Sequence, residues 1–147
     1  MGNTQMDQML VNLKLMGVPP WDQQDLTKLR DYCEAVSRAT GVLIPPNYPV
    51  VGEDAFRTAT GVHASAVIKA YKKNDVELAN AVYSGVPAHL FGLEQVIDIG
   101  PMSGKSNILF WLERHSIPAS DEVVERIYRR AKSSDHTLSE DELRECL

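Results

Sequence analysis

The chain has 147 residues, which suits one compact domain or two small subdomains and is too short for a complete (β/α)8 barrel of about 200 to 250 residues. Its residues are 44% hydrophobic and 24% charged, a globular balance that argues against extended disorder. The net charge of −5 disfavours a broad nucleic-acid surface. No apolar run reaches the length needed to span a bilayer. The amino terminus carries no basic segment followed by a cleavable apolar stretch. Cys33 and Cys146 stand far apart with no metal-ligand spacing, so a reduced, cytoplasmic protein is expected.

The pattern along the chain is mainly helical. Thr4 to Met16 places Met6, Met9, Leu10, Leu13 and Met16 on one face, with Val11 and Leu15 widening it, so this helix expects burial on more than one side. Asn3 or Thr4 would cap its start, and Gly17 its end. A second helix is expected from about Asp22 to Thr40, with Leu26, Leu29, Tyr32 or Cys33, Val36 and Ala39 inward and Gly41 after its end. Val42 to Gly52 holds three prolines and reads as an extended connection. Glu53 to Asn74 is divided by Gly61, after which Val62, Ala66, Ile68 or Lys69, and Tyr71 predict a helix. A short helix over Asp75 to Tyr83 and a turn at Ser84-Gly85-Val86-Pro87 follow. A further short segment ends at Gly92. Val96 to Ile99 is the best strand candidate. Ser103 to His115 reads as a helix, Ser120 caps another, and Ser139 with Glu142 forms a capping box for the last.

Several residues invite a chemical reading. Gly100-Pro101-Met102-Ser103-Gly104-Lys105-Ser106 follows a strand and opens a helix, as a P-loop does. It has one residue too few between its first glycine and Gly-Lys, and Pro101 lacks an N–H. A weaker anion contact from Lys105 and the helix end stays open. His63 lies at a predicted helix start among Gly61, Ala64, Ser65 and Ala66, small neighbours that leave an imidazole accessible for proton transfer near neutral pH. A lone histidine is more commonly a surface or packing residue. Tyr83, before a Gly-Pro turn, is a packing residue or a hydroxyl donor to a substrate. His89, His115 and His136 show no ligand spacing, so a metal site built within this chain is not expected. The cluster Arg126, Arg129, Arg130 and Lys132 is interleaved with acids and reads as a solvated helix face.

Three stretches together resemble one family. Gly2-Asn3 before an apolar helix resembles the end of the catalytic barrel in the 2-isopropylmalate, homocitrate and citramalate synthases. The segment from Ala55 to His63 resembles that family's Phe-x-x-x-x-Gly-Ile/Val-His. Tyr83 to Gly92, followed by Ile99-Gly-Pro-Met-Ser-Gly-Lys-Ser-Asn107, resembles its Tyr-to-Gly segment and Gly-x-x-Ser-Gly-Lys/Arg. The order and spacing agree over nearly the whole chain.

The resemblance implies a mainly α fold of small helical subdomains with one or two short strands, a carboxy-terminal fragment of a TIM-barrel synthase that lacks most of the barrel. Residues 1–20 would be the remnant of the last barrel helix, 21–51 a helical linker subdomain and 52–147 a helical communication subdomain. The family's enzymes join acetyl-CoA to a 2-oxo acid, with a divalent metal (Mg, Mn or Zn) polarising the keto carbonyl. By resemblance His63 takes part in proton transfer in a neighbouring active site, Tyr83 accompanies it, and Asn3 lies at or near the metal. The family's other metal ligands and its acidic catalytic residues have no counterpart here. The chain is therefore expected to hold no metal tightly by itself and to be inactive alone. It would act as a homodimer or with a separate barrel-containing chain, with acetyl-CoA and a 2-oxo acid as ligands of the complete assembly, and with no nucleic-acid or membrane partner. The leucine-forming branch is the first expectation. A homocitrate or citramalate synthase fragment, or a non-catalytic dimerisation or regulatory module, is the alternative.

Overall fold

A computed structural model describes residues 2–147. Seven α-helices and a two-stranded parallel sheet form among them, so the fold is mainly α and contains no barrel. None of the described helices is long and apolar enough to cross a membrane. The chain divides into two compact units.

The first unit takes the chain up to Phe56, together with Ser84–Glu94. Helix α1 spans Met6–Leu15 and begins later than its apolar spacing predicts. Neither Asn3 nor Thr4 caps it: its N-cap is Gln5, which makes no side-chain cap bond. Gly17 takes φ 68° just past its end, the left-handed position that glycine fills without strain. Of its apolar residues Val11 is buried, while Met6 is 52% and Met9 43% exposed, so the expected burial on several sides is not supplied by the described residues.

Helix α2 spans Leu29–Thr40, not the predicted Asp22 to Thr40. The cause is local. The Asp25 carboxylate accepts the Thr27 N–H at 2.9 Å, a side-chain turn that competes with helix, and Trp21–Gln23 forms a 3-10 turn ahead of it. The same N–H holds the Asp25 pKa below its usual value. Lys14 Nζ donates to the Asp22 and Gln24 carbonyls (3.1 and 2.7 Å) and anchors this stretch to α1. Gly41 ends α2 with φ 72°, as expected. The proline-rich connection is stapled by Arg30, whose guanidinium donates to the Val51 and Gly52 carbonyls. Val11, Leu26, Leu29, Val50, Val51, Phe56, Ala88 and Phe91 form the core. Of the predicted alternatives Tyr32 and Cys33 it is Cys33 that packs half-buried against this core, while Tyr32 and Val36 are 49% and 41% exposed.

The second unit takes Arg57–Tyr83 and Gln95–Leu147. Strands β1 (Arg57–Thr58) and β2 (Val96–Ile97) pair in parallel, Arg57 opposite Val96 and Thr58 opposite Ile97. Asp98 N–H extends the ladder to the Thr58 carbonyl at 2.9 Å. An Arg57–Asp98 ion pair at 2.8 Å lies along its edge. The sequence reading anticipates β2 but not β1. Helix α3 spans Gly61–Lys72, and α4 spans Val76–Ala81, capped by Asp75. Ala64, Val67, Ile68, Ala70, Ala79 and Ile97 close one core. Helices α5 (Lys105–Arg114), α6 (Asp121–Ser133) and α7 (Glu140–Arg144) close a second, centred on Ile108, Leu112 and Ile127.

Helix α7 carries a charge-dependent cap. Ser139 and Glu142 form the expected capping box. The Ser139 N–H, then His136, hold the Glu142 pKa down from its ordinary 4.5 to about 2. Hydrogen bonds to Asp135 (2.8 Å) and Glu142 (3.2 Å) raise that of His136, and Arg130 pairs with Glu142 at 2.7 Å. A lowered carboxylate stabilises the folded state above its unfolded pKa and loses that contribution as pH falls through the folded value. A raised histidine stabilises below its unfolded pKa and loses its contribution as pH rises through the folded value. Amide-exchange protection of Leu143, corrected for intrinsic rate, is therefore expected to be greatest between about pH 4.5 and 6.5, the ordinary values of the two groups. It should decline on both sides, and a flat profile would mean that the cap bears none of the helix's stability.

Candidate functional site

His63 sits in the first turn of α3, and Tyr83 follows α4. Packing of α3 against α4 closes the distance between these sequence-remote positions. The two rings stack, with centroids 4.0 Å apart and planes 24° from parallel. Both side chains are exposed, Tyr83 at 53%. Below His63 the small Ala64 is fully buried, so the backbone sits close to the core while the imidazole faces solvent. Stacking narrows the rotamers open to each ring and lays the imidazole face against the phenol ring. An imidazole gains and loses a proton near neutral pH, and a phenol donates a hydrogen bond, so the pair suits proton transfer to a substrate brought against it.

The start of α3 is held from outside the helix. Thr60, its N-cap, offers no side-chain bond. The Gly61 N–H instead donates to the Met102 carbonyl at 3.0 Å. Gly61 is also pressed against Gly104, because a Cβ on it would lie 2.8 Å from the Gly104 nitrogen. Ser103 and Asn107 are buried polar residues of the same loop and of the first turn of α5. Ser103 Oγ donates to the Ala59 carbonyl (2.6 Å) and accepts the Gly100 N–H (2.9 Å). Asn107 Nδ2 reaches the Asp98 carbonyl (2.9 Å) and the Ala59 carbonyl (3.3 Å). Lys132 Nζ donates to the Pro101 and Ser103 carbonyls (2.7 and 2.8 Å).

This geometry disposes of the phosphate loop. The Gly100 N–H is taken by Ser103 Oγ, the Ser103 N–H by the Gly100 carbonyl, and the Gly104 N–H by Asn107 Oδ1. Lys105, the suspected anion contact, is paired with Glu125 at 2.9 Å. That hydrogen bond and charge raise the lysine's pKa and lower the glutamate's. Sequence reasoning singled out this loop for its glycines and lysine. It missed the anchoring role of Ser103 and Asn107, whose shared partner, the Ala59 carbonyl, is remote in sequence.

Asn3 lies in the first unit, exposed and ahead of α1. Among the described residues no three His, Cys, Asp or Glu side chains are grouped to hold a metal ion. An exposed asparagine alone does not fit a divalent cation, which takes several oxygen ligands. Titration of the chain with Mg, Mn or Zn, followed by calorimetry, is expected to give no site tighter than micromolar, and a sub-micromolar site would contradict this reading. Two of the other histidines have structural partners, whereas the buried Nδ1 of His89 meets no hydrogen-bond partner among the described residues. His115 Nδ1 meets the Trp111 carbonyl at 2.8 Å, and His136 belongs to the α7 cap.

The chain is similar to a group of synthases. It is 37% identical to the homocitrate synthase of Pyrococcus horikoshii over 109 residues, 74% of this chain and 27% of that protein. It is 30% identical to a probable 2-isopropylmalate synthase of Methanopyrus kandleri over 131 residues, 89% of this chain and 24% of that one. It is 29% identical to the (R)-citramalate synthase of Aquifex aeolicus over 142 residues, 92% of this chain and 25% of that one. No protein-family model matches the chain. The chain spans about a quarter of the length of these curated relatives. It is thus a homologue of synthases, matched along a segment of each. Its family is that of the 2-isopropylmalate, homocitrate and citramalate synthases.

Proposed function

We propose that the chain is the carboxy-terminal portion of a 2-isopropylmalate synthase-like acyltransferase of leucine biosynthesis, working in the cytoplasm and inactive alone. It supplies His63 and Tyr83 to an active site that a second copy or a barrel-containing chain completes. In that assembly acetyl-CoA condenses with a 2-oxo acid. The acetyl methyl loses a proton, the resulting carbanion attacks the keto carbon, and the thioester is hydrolysed. His63 moves a proton at the reacting centre, and the Tyr83 hydroxyl donates to a substrate oxygen. The divalent metal of the complete enzyme is held elsewhere, with Asn3 at most near it.

The observation that carries this reading is the exposed stack of His63 on Tyr83 in a chain homologous to these synthases. Two exposed proton-transfer groups call for another surface to exclude water from them. The first unit also leaves an apolar groove of about 510 Å³, lined by Met6, Tyr32, Val36, Leu43 and Tyr48 among others, as a segment parted from a larger protein would. A homocitrate synthase reading has its own support in the 37% identity to the Pyrococcus protein.

The test mixes this chain with a family synthase cut to lack the matching segment, and offers acetyl-CoA with 2-oxoisovalerate, 2-oxoglutarate or pyruvate. Restored release of CoA with 2-oxoisovalerate is the expected result. Restoration with 2-oxoglutarate or pyruvate instead would reassign the branch. No restoration with any of them would overturn the proposal.

A further inference from the structure

We infer that Ser103 and Asn107 are positioning residues for His63: their side chains lock the Gly100–Gly104 loop onto the end of β1 and so fix the first turn of α3, which carries the His63 ring against Tyr83. The inference rests on the proposed proton-transfer role of His63.

Ser103 is 3% and Asn107 0% exposed, and burying a hydroxyl and an amide is costly unless their hydrogen bonds are made. Here those bonds converge. Both side chains reach the Ala59 carbonyl, just ahead of α3, and Asn107 also takes the Asp98 carbonyl where β2 ends. Ser103 closes the loop on itself through Gly100, and Lys132 clamps two of the loop's carbonyls from α6. The loop thus held gives its Met102 carbonyl to Gly61 and its Gly104 backbone as the surface on which Gly61 rests. Two residues further on is His63. Loosening the loop leaves α3 without an N-terminal partner, since Thr60 contributes no side-chain cap. The imidazole is exposed and packs on the Tyr83 ring, so its place depends on where that first turn begins.

The test uses NMR on the 147-residue chain. The His63 ring signals should carry the ring-current shift of Tyr83, and a Tyr83→Leu variant defines their unstacked position. Ser103→Ala, Asn107→Ala and Gly61→Ala are expected to move the His63 signals toward that position while the methyls of Leu112 and Ile127 stay unmoved. Ile127→Val, a destabilisation outside the loop, should leave the His63 signals where they are. Should Asn107→Ala fail to fold, Ser103→Ala and Gly61→Ala still decide. In the restored assembly Ser103→Ala should lower kcat by roughly ten- to a hundredfold with KM little changed, the pattern of a misplaced proton-transfer group. His63 signals unmoved in both Ser103→Ala and Gly61→Ala would overturn the inference. So would shifts spread evenly through the unit, or an equal movement in Ile127→Val. If the His63 signals move as expected but His63→Ala is fully active, the positioning stands and the functional reading fails.

Discussion

His63→Ala is expected to lower turnover of an assembly restored with this chain by about 10²- to 10⁴-fold, the usual contribution of a positioned acid–base group. The side chain is exposed in the first turn of α3 and no core packing depends on it, so stability should change by no more than about 0.5 kcal/mol. Loss of activity with an unchanged melting temperature would thus be chemical in origin. Tyr83→Phe makes the companion measurement. It keeps the stacked ring and removes only the hydroxyl, so a smaller loss is expected and the position of His63 should be preserved. Undiminished turnover in His63→Ala would remove the imidazole from the reaction.

Leu112→Ala is expected to cost the second unit about 2 to 5 kcal/mol. Leu112 is fully buried at the centre of the core that joins α5, α6 and α7, where it meets Ile108, Ile127 and their neighbours. Removing its branched end leaves a cavity that three helices and their caps can only partly close. Domains of this size hold about 5 to 15 kcal/mol in all, so the variant would stand near its unfolding threshold at physiological temperature. Urea denaturation followed by the fluorescence of Trp111, which lies in the same core, measures the loss. Leu109, one turn earlier on α5 and 45% exposed, provides the contrast, and its replacement by alanine should be nearly neutral. Equal costs at the two positions would contradict the packing described here.

The elements legible in the sequence are those specified locally. Ser120 and the Ser139–Glu142 box cap their helices because one side chain a few residues from its partner suffices, and Gly41 ends α2 because only the residue itself must tolerate a positive φ. The start of α2 escaped because Asp25 binds the Thr27 N–H and diverts the chain before helix can form. Strand β1 escaped because it has two residues and its partner lies on the far side of two helices in sequence, so no periodicity marks it. The exposed faces of α1 and α2 read as buried stripes because spacing reveals that a face is apolar and not what covers it. At the candidate site, residue type flagged His63 and Tyr83 separately, and the packing of α3 on α4 that stacks them is a tertiary fact. Ser103 and Asn107 were hidden in the same way, since their partners Ala59 and Asp98 are brought to them by the sheet.

The claim at the centre of this account is that the chain carries proton-transfer groups and lacks the rest of the catalytic site. Its most direct test is the release of CoA by the purified 147-residue chain supplied with acetyl-CoA, each of the three 2-oxo acids and Mg, Mn or Zn. The account predicts no release above the uncatalysed background. Steady turnover by the chain unaided would contradict it.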